Sequence, residues 1–315
     1  MIRIGLVSAA TYGYMGAPRT PGSFHGTAFA TAFNGYDPAK AEQHTWTFVR
    51  SRRTLPGAQV VKVWDAQRDW AERLADACHI AEVCDRPEQC AEGVDAAIVV
   101  DDGSGKHGRY AIAALRAGIP TFVDKPIAMT ARRAQEMVDL ARQTGAPLMS
   151  ASSLRFVPDV LALRAQLSDL GAVHLATTIC GNDLVYYGIH ALEMAYAVLG
   201  SGAVTCLNVG QAGRNVVRVR FRDGRDLILI VAEREYMRAG YQLNLYGQKG
   251  WRSVQPNLED LYLFLMEQFL VMVRSGRTQV VPLDEIVEVI AVLEAGKRSL
   301  VESREIPIAE MLENQ

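Results

Sequence analysis

Residues 5–16 read GLVSAATYGYMG and follow MIRI directly. The apolar run up to Val7 has the pattern of a buried opening strand. A dinucleotide-binding domain sets a glycine-rich turn straight after such a strand. Here the turn carries Ser8, Ala9 and Ala10, and the first glycines, Gly13 and Gly16, stand at other offsets. Serine and alanine are small enough to admit backbone amides to a pyrophosphate, provided no position needs a positive φ. These three residues are therefore the candidate phosphate loop.

Working outward, strands and helices alternate. Residues 23–35, SFHGTAFATAFNG, suit a helix with Ser23 as cap, a stripe of Ala28, Phe29, Ala32 and Phe33, and an Asn34-Gly35 stop. AQVVKVWD (58–65) is a strand and QRDWAERLADACHI (67–80) a helix. VDAAIVV (94–100) is an all-apolar strand of the kind buried on both faces. Helix GRYAIAALRAG, strand PTFVD, helix ARRAQEMVDLARQTG and strand APLMSAS complete the series to residue 152. This order predicts a doubly wound parallel sheet with right-handed crossovers.

Beyond about residue 151, strands follow one another: AVHLATTIC, AVTCLNVG, VVRVRFRDGRDLILIVA and YQLNLYG. Asp223-Gly224 between alternating runs signals a hairpin. Two helices close the chain, one capped by Asn257 with Asp260 three residues on, the other from Asp284 to about Val301. The expected fold is α/β. A Rossmann domain (1–126) precedes an α+β domain (127–315) with an open, mostly antiparallel sheet, and the closing helices pack back toward the first domain.

The 315 residues accommodate two domains. Lys+Arg 33 against Asp+Glu 35 leaves a net charge of -2, so no broad basic face for nucleic acid is expected. The most apolar run, LYLFLMEQFLVMV (261–273), is too short for a bilayer and contains Glu267 and Gln268, so it reads as a buried helix. Arg3 lies inside the first strand, so no secretory signal is read. Five cysteines without CxxC pairs fit reduced thiols in a cytoplasmic protein.

Chemistry concentrates at four places. Asp65 ends the second strand, where an acid accepts hydrogen bonds from ribose hydroxyls and repels a 2'-phosphate, favouring NAD over NADP; Arg68 nearby would soften that choice. Asp101 and Asp102 lie beyond the carboxyl end of a buried strand, and His107 begins the next helix. Lys125 follows strand TFVD, and Pro126 restricts it to extended conformations. A depressed lysine pKa beside an oxidised nicotinamide suits proton transfer. In GNDLVYYGIHALEMAYAVLG (181–200), His190 opens a helix and Glu193 stands three residues on. His-x-x-Glu can ligate a metal, but no further ligand cluster accompanies it, so no metal is expected.

Taken in order, these pieces resemble the Gfo/Idh/MocA family, the glucose–fructose oxidoreductase and inositol dehydrogenase group. VDKPIAMT is similar to its Glu-Lys-Pro motif with Asp124 in place of glutamate, HGRYAIAALRAGIPTF to the segment before it, and YYGIHALEMAYAVLG to its second active-site motif. The resemblance implies a Rossmann domain and a substrate domain whose open sheet face packs on another subunit, giving a homodimer or homotetramer. It also implies NAD(P)-dependent oxidation or reduction of a ring hydroxyl or ketone of a sugar or cyclitol. Lys125 corresponds to the family's lysine and His190 to its histidine, an acid–base pair shared between domains. Ser8, Ala9, Ala10, Asp65, Asp101, His107, Asp124 and Lys125 are the expected cofactor residues, and Arg155, Asn182 and Tyr187 the expected substrate residues. For Arg155 the alternative is a structural salt bridge.

Two departures stand out. Tyr186 occupies the position of an aspartate four residues before the histidine, which makes this phenol a candidate acid–base group. The glycine turn is altered. These departures leave a non-catalytic dinucleotide or ligand sensor open, and the family resemblance leaves open NAD-dependent elimination at a glycoside without net redox change.

Overall fold

A short strand of small and branched apolar residues is stable only where both its faces are covered. Ala96–Val99 is such a strand and is buried at every position. The computed structural model describes residues 1–8, 24–44, 53–100, 104–277 and 280–313. Its first sheet comprises β1 (Ile2–Val7), β2 (Ala58–Trp64), β3 (Glu82–Val83), β4 (Ala96–Val99), β5 (Thr121–Val123) and β6 (Leu148–Met149). All neighbours run parallel, in the order β3-β2-β1-β4-β5-β6. This is the dinucleotide-binding order, with its topological switch between β1 and β4.

The helices are α1 (Phe24–Asn34), α2 (Pro38–Gln43), α3 (Arg68–Cys78), α4 (Ile112–Arg116), α5 (Ala131–Thr144), α6 (Pro158–Ala165), α7 (Gly188–Leu199), α8 (Leu261–Ser275) and α9 (Leu283–Glu302). The described chain forms two compact units, neither continuous in sequence. The first contains 1–128, 136–150 and 262–283; the second contains 129–135, 151–261 and 284–315. The division thus differs from a single cut after residue 126. β6 pairs with β5, and Phe269 of α8 meets Phe122 of β5 at 6.2 Å between ring centroids, so both elements join the first unit. Phe29 of α1 meets Phe122 edge-on at 5.6 Å, completing that core.

Gly5 is demanded by packing: a Cβ there would fall 1.7 Å from the Cys90 carbonyl oxygen. Asn34 ends α1 by bonding Val60 and the Cys78 carbonyl, with Gly35 beyond it at φ +66°. The expected cap Ser23 lies outside the described residues. The predicted helix GRYAIAALRAG is instead a 3-10 turn, His107–Ala111, followed by the five-residue α4. His107 Nε2 bonds the Asp124 carbonyl at 2.8 Å, which ties this turn to the end of β5. All five cysteines are buried and free.

The second sheet comprises β7 (Val173–Gly181), β8 (Ala203–Asn208), β9 (Arg214–Phe221), β10 (Asp226–Ala232), β11 (Gln242–Gly247), β12 (Gly250–Val254) and β13 (Ile306–Pro307). Its order is β12-β11-β7-β10-β9-β8-β13, and only the β7–β10 pair is parallel. The hairpin at Asp223-Gly224 is formed, with Gly224 at φ +88°. α7 and α9 lie on one face: Thr178 Oγ1 donates to the Ala191 carbonyl at 3.0 Å, and a Cβ on Gly296 would sit 3.4 Å from the Val217 methyls. On the other face Trp251, Tyr246 and Leu175 stand in register on neighbouring strands, 64%, 41% and 40% exposed.

Asn257 does not cap α8. Its Oδ1 accepts from the Glu259 amide at 2.9 Å in a local turn, and Asp260, at φ 57°, separates it from the helix starting at Leu261. Among the described residues, no helix is long and apolar enough to cross a membrane.

Candidate active site

In the first unit, β2 delivers Asp65 to the carboxyl edge of the sheet. The carboxyl is buried; Oδ1 accepts from the Gln67 amide at 2.9 Å, and Oδ2 lies 3.4 Å from Ser8 Oγ at the end of β1. Ser8 adopts φ 74°. The turn therefore does require a positive φ, which serine holds at a cost of about 1–2 kcal/mol. Arg68, expected to soften the cofactor choice, is half exposed and pairs with Glu72 at 2.8 Å and with Asp85. Ala9, Ala10, Asp101 and Asp102 lie outside the described residues.

At the end of β5, three polar groups converge on Asp124. His25 Nδ1 donates to its Oδ2, the Lys125 amide donates to its Oδ1 at 2.9 Å, and His107 holds its carbonyl. Burial alone would push the Asp124 carboxyl up. The charge and hydrogen bond of His25, then the charges of Lys125 and His107, outweigh burial and hold it below the usual carboxylate range. Asp124 thus fixes the backbone of Lys125, itself buried and preceding Pro126 through a cis peptide bond. His107 serves this turn from a fully buried position. His25 was not legible as a site residue, because its partner lies 99 positions away.

In the second unit, Asp183 organises the approach to α7. Its Oδ1 accepts from the amides of Val185 and Tyr186 at 2.7 and 2.8 Å. This brings His190 into the first turn, half-buried, with Nδ1 2.7 Å from Ser152 Oγ. The His190 ring meets Tyr187 and Tyr241 edge-on at 6.1 and 5.6 Å. Both tyrosines, with Asn182, line a pocket of about 530 Å³. Tyr186 is 9% exposed. Asn182, at φ 90°, lies where β7 turns toward α7. Ser152 and Tyr241 escaped the sequence reading, since neither carries a motif of its own.

Arg155 takes the structural role. It is buried, its Nη1 donates to Glu193 at 2.8 Å, and its Nη2 pairs with Glu285. A guanidinium so engaged is not available to a ligand, which corrects its placement among the substrate residues. One cation cannot neutralise two buried carboxylates. Burial pushes Glu193 up to about 7, against the opposing pull of Arg155 and a hydrogen bond from the Ser152 backbone. The triad thus grips the same serine whose hydroxyl meets His190.

These features define a Rossmann nucleotide-binding unit and a second unit carrying a pocket beside a histidine. Residues 16–152 match the model of the Gfo/Idh/MocA oxidoreductase family, NAD-binding Rossmann fold. The match covers the first part of the chain, which is thus similar to that family. It is 31% identical over 172 residues to a D-glucoside 3-dehydrogenase of Escherichia coli (strain K12), covering 48% of this chain and 49% of the relative. It is 26% identical over 227 residues to an inositol 2-dehydrogenase of Saccharopolyspora erythraea, covering 64% and 67%. The match therefore spans about half the first relative and two-thirds of the second. The fold is similar to a myo-inositol dehydrogenase of Lactobacillus casei solved with NAD(H) and myo-inositol (TM-score 0.78, 15% identity, 98% of this chain and 96% of that one). It is equally similar to a probable dehydrogenase of Thermotoga maritima (TM-score 0.78, 17% identity, 98% and 100%).

The donor set fits the family's cofactor. A buried carboxylate at the end of β2 and a hydroxyl at the end of β1 are the chemistry an adenosine ribose requires.

Proposed function

We propose that this protein is an NAD-dependent dehydrogenase that moves a hydride between the nicotinamide and a ring hydroxyl or ketone of a sugar or cyclitol. The observation that carries the reading is His190, anchored through Nδ1 by Ser152 and set against the two tyrosines of a polyol-sized pocket. The names of the relatives support the substrate class.

Bound NAD supplies the hydride acceptor. Asp65 and Ser8 hold its ribose, and the carboxylate of Asp65 disfavours a 2'-phosphate. In the base-competent tautomer His190 donates Nδ1–H to Ser152 Oγ, leaving Nε2 to take the substrate's hydroxyl proton. Lys125 is assigned a hydrogen bond to the substrate oxygen on the strength of its motif. Tyr186 is the remaining candidate proton carrier, and Asn182 and Tyr187 contact the substrate's hydroxyls. The exposed apolar face of the second sheet pairs with a second copy.

The test is NADH formation by the purified protein with NAD+ and methyl glucosides, glucose and inositols. Net NADH supports the reading. Glycoside cleavage without net NADH would replace it with elimination. NAD binding without turnover of any polyol, acidic ones included, would leave the sensor.

A further inference from the structure

The pocket beside His190 carries charge that the reading above does not use. β7 and β10 run parallel, so the segments after Gly181 and Ala232 leave the sheet at one edge. The Asn182 amide bonds the Ala232 carbonyl at 2.6 Å, and a Cβ on Gly181 would stand 3.2 Å from the Ala239 carbonyl. The loop after β10 therefore folds over the end of β7. It contributes Arg234, Met237, Arg238 and Tyr241 to the pocket wall, facing Asn182 and Tyr187.

Both arginines are exposed at the pocket, and neither is held by a carboxylate. Arg155, Arg218, Arg225, Arg298 and Arg304 each engage a carboxylate. Among the described residues, Arg234 and Arg238 have no side-chain hydrogen bond or ion pair. The adjacent acids face other neighbours. Glu233 lies against Gly213 and lines a separate cavity, and Glu235 bonds Tyr236. Two exposed guanidiniums on one pocket wall offer an anion two planar forks that match carboxylate and phosphate oxygens.

The geometry points to an anionic substrate: a sugar or cyclitol bearing a carboxylate or phosphate, with the anion on Arg234 and Arg238 and a ring hydroxyl at His190. This rests on the dehydrogenase reading of the same pocket. It adds what that reading lacks, a reason for two cations beside the proton-transfer group.

The test is calorimetric binding of D-glucuronate, D-glucose 6-phosphate and methyl glucoside to the NAD-loaded protein, with NADH formation followed in parallel. At least one anionic ligand binds roughly tenfold or more tightly than the neutral one, the worth of a charge-assisted hydrogen bond. Whether glucuronate or the phosphate leads identifies the anion. In Arg234→Gln/Arg238→Gln the advantage disappears, and in Arg234→Glu/Arg238→Glu it reverses. Equal binding of all three ligands, or a preference that survives the double substitution, overturns the proposal. NADH formed from the neutral glucoside without anion preference leaves the dehydrogenase standing and removes only this subsite. Anion binding lost in the variants, without NADH from any ligand, keeps the subsite and removes the dehydrogenase.

Discussion

Ser152 Oγ lies 2.7 Å from Nδ1 of His190, across 38 positions of sequence. The Ser152 amide is held in turn by Glu193, and Glu193 by Arg155. A hydrogen bond at Nδ1 selects the ring orientation and leaves Nε2 as the working nitrogen. Ser152 is thus a positioning residue. Ser152→Ala should lower kcat about tenfold or more, a part of the roughly 10²–10⁴ that general acid–base catalysis commands. KM should change little and the pH–rate profile should shift, with Ser152→Thr restoring much of the rate. An unchanged profile in the alanine variant would reduce Ser152 to packing.

Asp65 and Ser8 make the cofactor prediction. NAD should bind more tightly than NADP, and Asp65→Ala should narrow the gap. Ser8→Gly removes the strain of φ 74° and should raise stability by about 1 kcal/mol. Calorimetry with both cofactors and thermal melts check the pair. Equal wild-type affinities would refute the role of Asp65.

The His25–Asp124 pair sets an acid limit. A carboxyl lowered in the folded state contributes stability above its unfolded pKa and loses it as pH falls through the folded value. The contribution of Asp124 is therefore full at neutral pH, begins to fade near pH 4, about the ordinary aspartate value, and is absent below the folded pKa. Asp124→Asn should flatten the acid limb of the stability curve. His25→Ala strands a buried carboxylate and should cost about 3–5 kcal/mol at pH 7. Denaturant titrations at several pH values decide it, and an acid limb unchanged in Asp124→Asn would contradict the assignment.

Much of this fold was legible because its signals are local. The all-apolar run at 94–100, the Asp223-Gly224 turn and the apolar stripe of α1 each act within one element. What stayed hidden depends on distance along the chain. Arg155 meets Glu193 and Glu285 only after folding, so its side chain was open to either reading. His25 and Ser152 acquire meaning from partners on other elements. Asn257 shows a local signal outcompeted by an equally local one, an Asx turn in place of a helix cap.

The exposed row Trp251, Tyr246 and Leu175 predicts a dimer through the open sheet face. Leu175→Glu/Trp251→Glu should yield monomers by light scattering at micromolar concentration, with α7 and its site intact. A wild-type protein that is strictly monomeric there would contradict this.

Proton transfer in the proposed reaction rests on His190. Its direct test is the rate of NADH formation by His190→Ala on the best substrate, with NAD affinity measured alongside. The expected result is a kcat lower by roughly 10²–10⁴ with NAD affinity within a few-fold of wild type. A near-normal kcat would contradict it.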